Sequence, residues 1–163
     1  MRPAHDRPTG WQVSGLSSRL LALSFERRRS PIMNALDHKQ AIRTNFDELA
    51  KGNPEPLVTS LAEDVAWTII GETVLSKTFQ GKPAVLEFLG NFSAALVDGH
   101  IHIHIENLLA DGDYVVAQGH GVAMTLKGVP YNNTYCWVYR FANGKIVAIT
   151  EYLDTELVTR AFG

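Results

Sequence analysis

One carboxylate sits among apolar residues near the end of this 163-residue chain. In residues 146–154, IVAITEYLD, strand alternation puts Glu151 on a face with Val147, Ile149 and Leu153. Ala148, Thr150, Tyr152 and Asp154 take the other face. An unpaired charge among apolar neighbours is costly. Such a carboxyl is either paired, or partly neutral with a raised pKa and available for acid–base work. The structural alternative is a strand-end glutamate that reaches solvent or Arg140. In the preceding strand Asn133, Tyr135, Trp137 and Tyr139 share a face, and Trp67 and Ile69 join it from an earlier strand. That set makes either a large aromatic core or the wall of an apolar pocket with a few polar tips.

Histidines form the second candidate. HIHIHIENLLA alternates, with Ile101, Ile103 and Ile105 on one face and His100, His102, His104 and Glu106 on the other. Alternate histidines on a strand can ligate a metal, but a third ligand must converge from elsewhere, and only Glu106 and His120 offer themselves. The other reading is a polar, half-exposed strand face. One of these histidines, His102 for instance, could still line a pocket as a proton carrier, because imidazole titrates near neutrality. Gly119-His120-Gly121 lies inside a strand pattern with no helix after it, so it is not a phosphate loop. Its glycines mark a bend or a close backbone approach. Cys136 beside Trp137 reads as a core thiol, with no base or helix start to activate it.

The elements that must position these groups follow from periodicity. Residues 111–154 read as a meander of strands, with Asn143-Gly144 as a type I′ hairpin turn and Pro130 at a strand edge. Upstream, Ala35, Ile42, Phe46, Leu49 and Ala50 fall near helical spacing, with Asn34 as cap and Gly52 as stop. Pro54 and Pro56 open a short second helix. VAWTII is a strand, and residues 73–79 are a connector or short edge strand. A third helix follows Gly81 and presents Val85, Phe88, Leu89, Phe92 and Leu96 on one face. Residues 155–163 form a terminal helix. Early helices and late antiparallel strands give an α+β fold rather than a wound parallel sheet.

Composition narrows the function classes. Residues 1–33 carry six arginines against Asp6 and Glu26, a net of +4, while the rest holds nine basic against fifteen acidic residues, a net of −6. An acidic body argues against a nucleic-acid surface. No apolar run reaches the length of a membrane span. A lone cysteine suits a reducing cytoplasm. Residues 1–33, rich in Pro, Gly, Arg and Ser, read as a disordered leader or as sequence upstream of a working start at Met33, and share traits with a transit peptide. Residues 34–163 read as a single domain.

AEDVAWTIIG, FQGKPAVLEFL and YCWVYRFANGKIVAITEYLDTELV together resemble the nuclear transport factor 2-like superfamily, and its SnoaL-like branch in particular. That branch includes ketosteroid isomerases, polyketide cyclases and epoxide hydrolases. The resemblance spans residues 34–163 and implies a cone-shaped, curved antiparallel or mixed sheet wrapped around the helices, an interior pocket and often a homodimer. It places the isomerase base at Ile69, and the isomerase oxyanion donors near Asn45 and Trp137. An epoxide hydrolase's arginine and aspartate would fall at Gly119 and Gly121, and its second aspartate at Glu151. Only that last acid survives. The expectation is acid–base chemistry by Glu151, without metal or organic cofactor, on a small apolar substrate. Asn45, Tyr135 or a histidine such as His102 would orient the substrate, with Trp67, Ile69, Trp137 and Tyr139 as walls. The alternative is a non-catalytic ligand-binding or dimeric protein on the same scaffold.

Overall fold

A computed structural model describes residues 34–163. The reading of residues 1–33 as a leader lies outside the described residues. Helix α1 (Ala35–Leu49) and short α2 (Glu55–Ser60) precede strands β1 (Leu61–Ile69) and β2 (Thr78–Gln80). Helix α3 (Lys82–Ala94) and a 3-10 turn lead into β3 (His102–Asp111), β4 (Tyr114–Val122), β5 (Asn133–Ala142) and β6 (Lys145–Leu153). Helix α4 (Thr155–Phe162) follows. The six strands form one sheet in the order β2-β1-β6-β5-β4-β3. All neighbours are antiparallel except β1 and β6, which run parallel. The α+β class is as expected.

Local signals explain the boundaries. Asn34 Oδ1 accepts from the backbone N–H of Leu36 (2.8 Å) and Asp37 (3.1 Å), and Asp37 Oδ2 accepts from the N–H of Asn34 (3.0 Å). This reciprocal cap satisfies donors that a helix start leaves open. Asp154 Oδ1 caps α4 by accepting from the N–H groups of Glu156 and Leu157, without the return bond. Asn143 and Gly144 both have positive φ, 52° and 72°, and join β5 to β6 as the type I′ turn requires.

Two irregularities bend the sheet and alter its inward faces. Glu106 has no partner on β4, because Ile105 pairs with Gly119 and Asn107 with Gln118. The inward set on β3 therefore passes from Ile105 to Leu108. On β6 the pairing skips Val147, so Ile146 and Ile149 are both buried. Simple alternation had put Val147 on the inner face and Ile146 outside it. A bulge inserts one residue and reverses that parity, which alternation alone cannot reveal.

Helix α1 covers β3 and β4 through its buried face, to which His38 belongs. The His38 ring stacks on Phe141 at 4.2 Å, and its Nδ1 lies 3.3 Å from the carbonyl oxygen of Gly112. His38 precedes Ile42 by one helical turn, and that spacing is the signal that could have placed it inward. Helix α3 covers β1 and β2, with Phe88 stacked on Phe79 at 4.2 Å.

Candidate functional site

Between the helices and the concave face of the sheet lies a cavity of about 340 Å³. The sheet contributes Trp67, Ile69, Tyr135, Trp137, Tyr139 and Glu151. Helix α1 contributes Ile42, Phe46 and Leu49, and α3 contributes Phe88, Leu89 and Phe92. These walls are almost wholly apolar, so polar atoms within them have a large effect on what can bind.

Glu151 is 7% exposed. It pairs with Trp137 across β5 and with Ile69 across β1, so its side chain emerges between two apolar neighbours. The indole Nε1 of Trp67 donates to Glu151 Oε2 at 2.8 Å. Burial pushes the carboxyl up to a pKa of about 7, while hydrogen bonding from Trp67 and a further interaction with the Trp137 side chain oppose the rise. Desolvation wins because neither indole carries charge. Arg140 points to the opposite, exposed face of β5 and offers no countercharge. The carboxyl is thus poised to hold or release a proton near neutral pH.

Trp67→Phe removes the nearer donor while keeping an aromatic wall. It is expected to move the Glu151 titration upward by about 1, since a hydrogen bond to a charged group contributes about 1.5 kcal/mol or more. Carboxyl carbon chemical shifts followed against pH check this; an unmoved titration would show that the indole does not stabilise the carboxylate.

The hydroxyls of Tyr135 and Tyr139 belong to the same wall. Burial raises both pKa values, and the nearby Glu151 charge adds to the rise. The shifts favour the protonated form of both phenols, in which a hydroxyl can donate a hydrogen bond.

Other expected site residues have different surroundings. Asn45 borders the cavity, but its amide is engaged at the α1–α2 junction. With its oxygen accepting from Ser60 Oγ at 2.9 Å, its nitrogen donates to the carbonyl oxygens of Pro56 (3.2 Å) and Ala41 (3.3 Å). It ties the two helices together from the cavity's edge. His102 is exposed on the outer face of β3 and does not line the cavity, because Ile101 and Ile103 take the inward positions. His100, before the strand begins, is the histidine at the cavity's edge. On the outer face the His104 and His120 rings lie 5.2 Å apart, and His120 Nδ1 is 3.1 Å from Glu106 Oε1. Among the described residues no group of three or more His, Cys, Asp or Glu side chains is placed to hold a metal ion. No described helix is long and apolar enough to cross a membrane.

The two strand glycines have packing reasons. A Cβ on Gly119 would collide with the carbonyl oxygen of His104, and one on Gly121 would come within 2.6 Å of Ile101 Cδ1 and 3.0 Å of Tyr135 Cε2. Sequence reasoning missed Tyr131, which lines the cavity from just before β5 and is 1% exposed. Its place in YNNTYCW, two residues before Asn133, was the available signal.

The family model for the SnoaL-like domain matches residues 42–149, about two thirds of the chain. The chain belongs to the SnoaL-like family. The match ends two residues before Glu151, so the candidate carboxyl lies just beyond it. No curated protein sequence matches this SnoaL-like chain. Solved structures share its fold. Bal32a, from a soil-derived mobile gene cassette, is 18% identical with a TM-score of 0.72, over 79% of this chain and 98% of its own. TerC, co-crystallised with polyporic acid, is 22% identical with a TM-score of 0.63, over 73% and 95%. A protein of Jannaschia sp. CCS1 provisionally named a SnoaL-like polyketide cyclase is 16% identical with a TM-score of 0.66, over 82% and 94%.

Proposed function

We propose that this SnoaL-like domain is a cofactor-independent enzyme that moves protons on a small apolar substrate held in the cavity, as an isomerase, cyclase or hydrolase does. One observation carries the reading: Glu151 is the only carboxyl among the described residues lining the cavity, and burial brings its titration to about 7. A carboxylate of that basicity abstracts a proton more readily than an ordinary one, and its conjugate acid is present at the same pH to return it. The cavity's apolar walls lower the local dielectric, which strengthens polar contacts made against them. The co-crystallisation of TerC with polyporic acid and the provisional cyclase name of the Jannaschia protein support a small organic substrate.

A thermal-shift screen of planar enones, lactones, terpene epoxides and aromatic polyketides identifies ligands, since a compound that binds only the folded state raises its melting point. On a compound that is turned over, Glu151→Gln is expected to lower kcat by about 10²-fold or more. The wild-type rate should rise with pH through about 7 if the carboxylate is the base. Full turnover by Glu151→Gln would sink the assignment. The apolar lining fits a non-catalytic carrier as well, and such a carrier would bind with an affinity insensitive to pH across the Glu151 titration.

A further inference from the structure

The cavity holds one carboxyl and, away from its edge, no group that can be positive. Among the described residues Glu151 is the only acid that lines it, and no lysine or arginine does. His100, exposed in the connection before β3, is the one lining residue able to carry a positive charge. Trp67 Nε1 donates to Glu151 Oε2 at 2.8 Å. The Trp137 side chain interacts more loosely, and no hydrogen bond of normal geometry reaches Oε1 among the described residues. Yet no buried side-chain oxygen among them is sealed away without a partner. Oε1 therefore opens on the cavity, and a molecule that fills the cavity must satisfy it.

The walls favour a cation. Eight of the lining side chains are Phe, Tyr or Trp. Trp137 is the cross-strand partner of Glu151, and Phe46 leans on it from α1 at 5.4 Å. Phe88 of α3 meets Trp67 edge-on at 6.1 Å. Rings thus close on the carboxyl from two helices as well as from the sheet. A ring is positive at its edge and negative on its faces. The edge of Trp67 can hold the carboxylate, while ring faces repel a second anion and attract a cation. An uncharged ligand would leave an ionised Glu151 unpaired, whereas a ligand with an N–H and a positive charge would pair it.

The approach has the same sign. His38, near the start of α1, lies against Gly112 at the end of β3, so the last turn of α1 lies by the start of that strand. The loops there contribute Gly52 and Pro54 from one side and Gly99 and His100 from the other to the cavity lining. Asp47 and Asp98 are exposed close to these loops, and Lys51 is paired with Glu48 at 2.7 Å. Residues 34–163 as a whole hold nine basic against fifteen acidic residues. A negative surface raises the local concentration of cations.

We propose that the cavity takes small hydrophobic amines as ammonium ions, the N–H donating to Glu151 Oε1 and the apolar substituents packing against the aromatic walls. This rests on the reading of Glu151 as the functional group of the cavity, and it names the class of molecule that the group receives. A tertiary amine suits best: one N–H for one open oxygen, and three apolar arms for apolar walls.

The test compares N,N-dimethylbenzylamine with isobutylbenzene, which has the same shape with an uncharged C–H in place of the N–H. Each is titrated into the full chain between pH 5 and pH 8, where an alkylammonium ion, like that of lysine, keeps its proton. At pH 8 the amine is expected to bind about tenfold tighter than isobutylbenzene, or more. Its affinity should fall about a hundredfold on going to pH 5, because below about 7 the Glu151 proton must leave before the ion pair forms. Isobutylbenzene should not follow that fall. Glu151→Gln should remove both the advantage of the amine and its pH dependence while isobutylbenzene still binds, which shows that the cavity is intact. Equal affinities at pH 8, or an amine affinity that Glu151→Gln leaves unchanged, overturns the proposal. The Glu151 carboxyl carbon shift, followed against pH in the free protein, separates the two readings. A titration near 7 without amine preference removes this proposal and keeps the acid–base group. An ordinary titration near 4.5 with a Glu151-dependent amine preference keeps this proposal and removes the acid–base reading.

Discussion

Glu151→Gln is expected to flatten the dependence of stability on pH, whatever the substrate proves to be. Burial raises the folded-state pKa from 4.5 to about 7, so the folded protein holds this proton more tightly than the unfolded chain. The favourable contribution of the neutral carboxyl is fully present below pH 4.5. It is lost as the pH rises to and through 7, where the folded state must bury a charge. The loss amounts to about 3 kcal/mol, taking about 1.4 kcal/mol for each pH unit between the two pKa values. Glutamine keeps the shape and can accept from Trp67 Nε1, but carries no charge. The variant should melt about 10 °C higher than wild type near pH 8, and the two should converge near pH 4. Melting curves across that range decide it. Parallel wild-type and variant profiles would mean that the carboxyl titrates normally and is more hydrated than its position indicates. A stabilised variant without activity is the pattern expected where a strained group is kept for function.

The second large effect is structural. Gly119→Ala puts a methyl group onto the His104 carbonyl oxygen and 3.2 Å from the Ile105 Cα, both backbone atoms of the adjacent strand. Backbone within a paired sheet cannot rotate away as a side chain can. The site lies beside the bulge at Glu106, where β3 and β4 already change register. Overpacking of this kind costs about 3 kcal/mol, enough to lower the melting point by about 10 °C. Gly112→Ala is the comparison: that glycine sits in the β3–β4 turn with nothing within 4 Å of an added Cβ, and its cost comes only from its positive φ of 52°. Equal melting points for Gly119→Ala and wild type would show that the strands separate more easily than the register implies. The same clash explains why a catalytic side chain is absent at Gly119, where the epoxide hydrolase pattern would place one. Here the position serves the close approach of two strands.

Local chemistry was legible in the chain itself. Asn34 and Asp154 cap helices because their short side chains reach the first free N–H groups. Asn143-Gly144 turns a hairpin because both residues accept positive φ. The aromatic face of β5 and the apolar setting of Glu151 follow from a side-chain period of two. These signals need only near neighbours along the chain, and they are sufficient for an α+β order with a sheet face opposed to helices. Parity failed at Val147 and in the residues after Glu106, where a bulge depends on how the partner strand is matched.

The candidate site was legible as a list and not as an arrangement. Asn45 and His102 have the right chemistry for binding, but one is tied to Ser60 and Pro56 and the other faces outward. His38 is polar in sequence and buried against Phe141 in space. Glu151 could have reached solvent or Arg140 as far as its own strand could show. Its actual partner, Trp67, is 84 positions away and arrives through the parallel pairing of β1 with β6. The sequence by itself determined the elements, their caps and turns, and which faces are apolar, because those properties depend on short-range geometry. Only the tertiary structure decided that Glu151 is desolvated, that an indole holds it, and that Asn133 donates to Tyr131. Desolvation and hydrogen-bond direction depend on groups brought together by long-range strand pairing, and no local pattern encodes them.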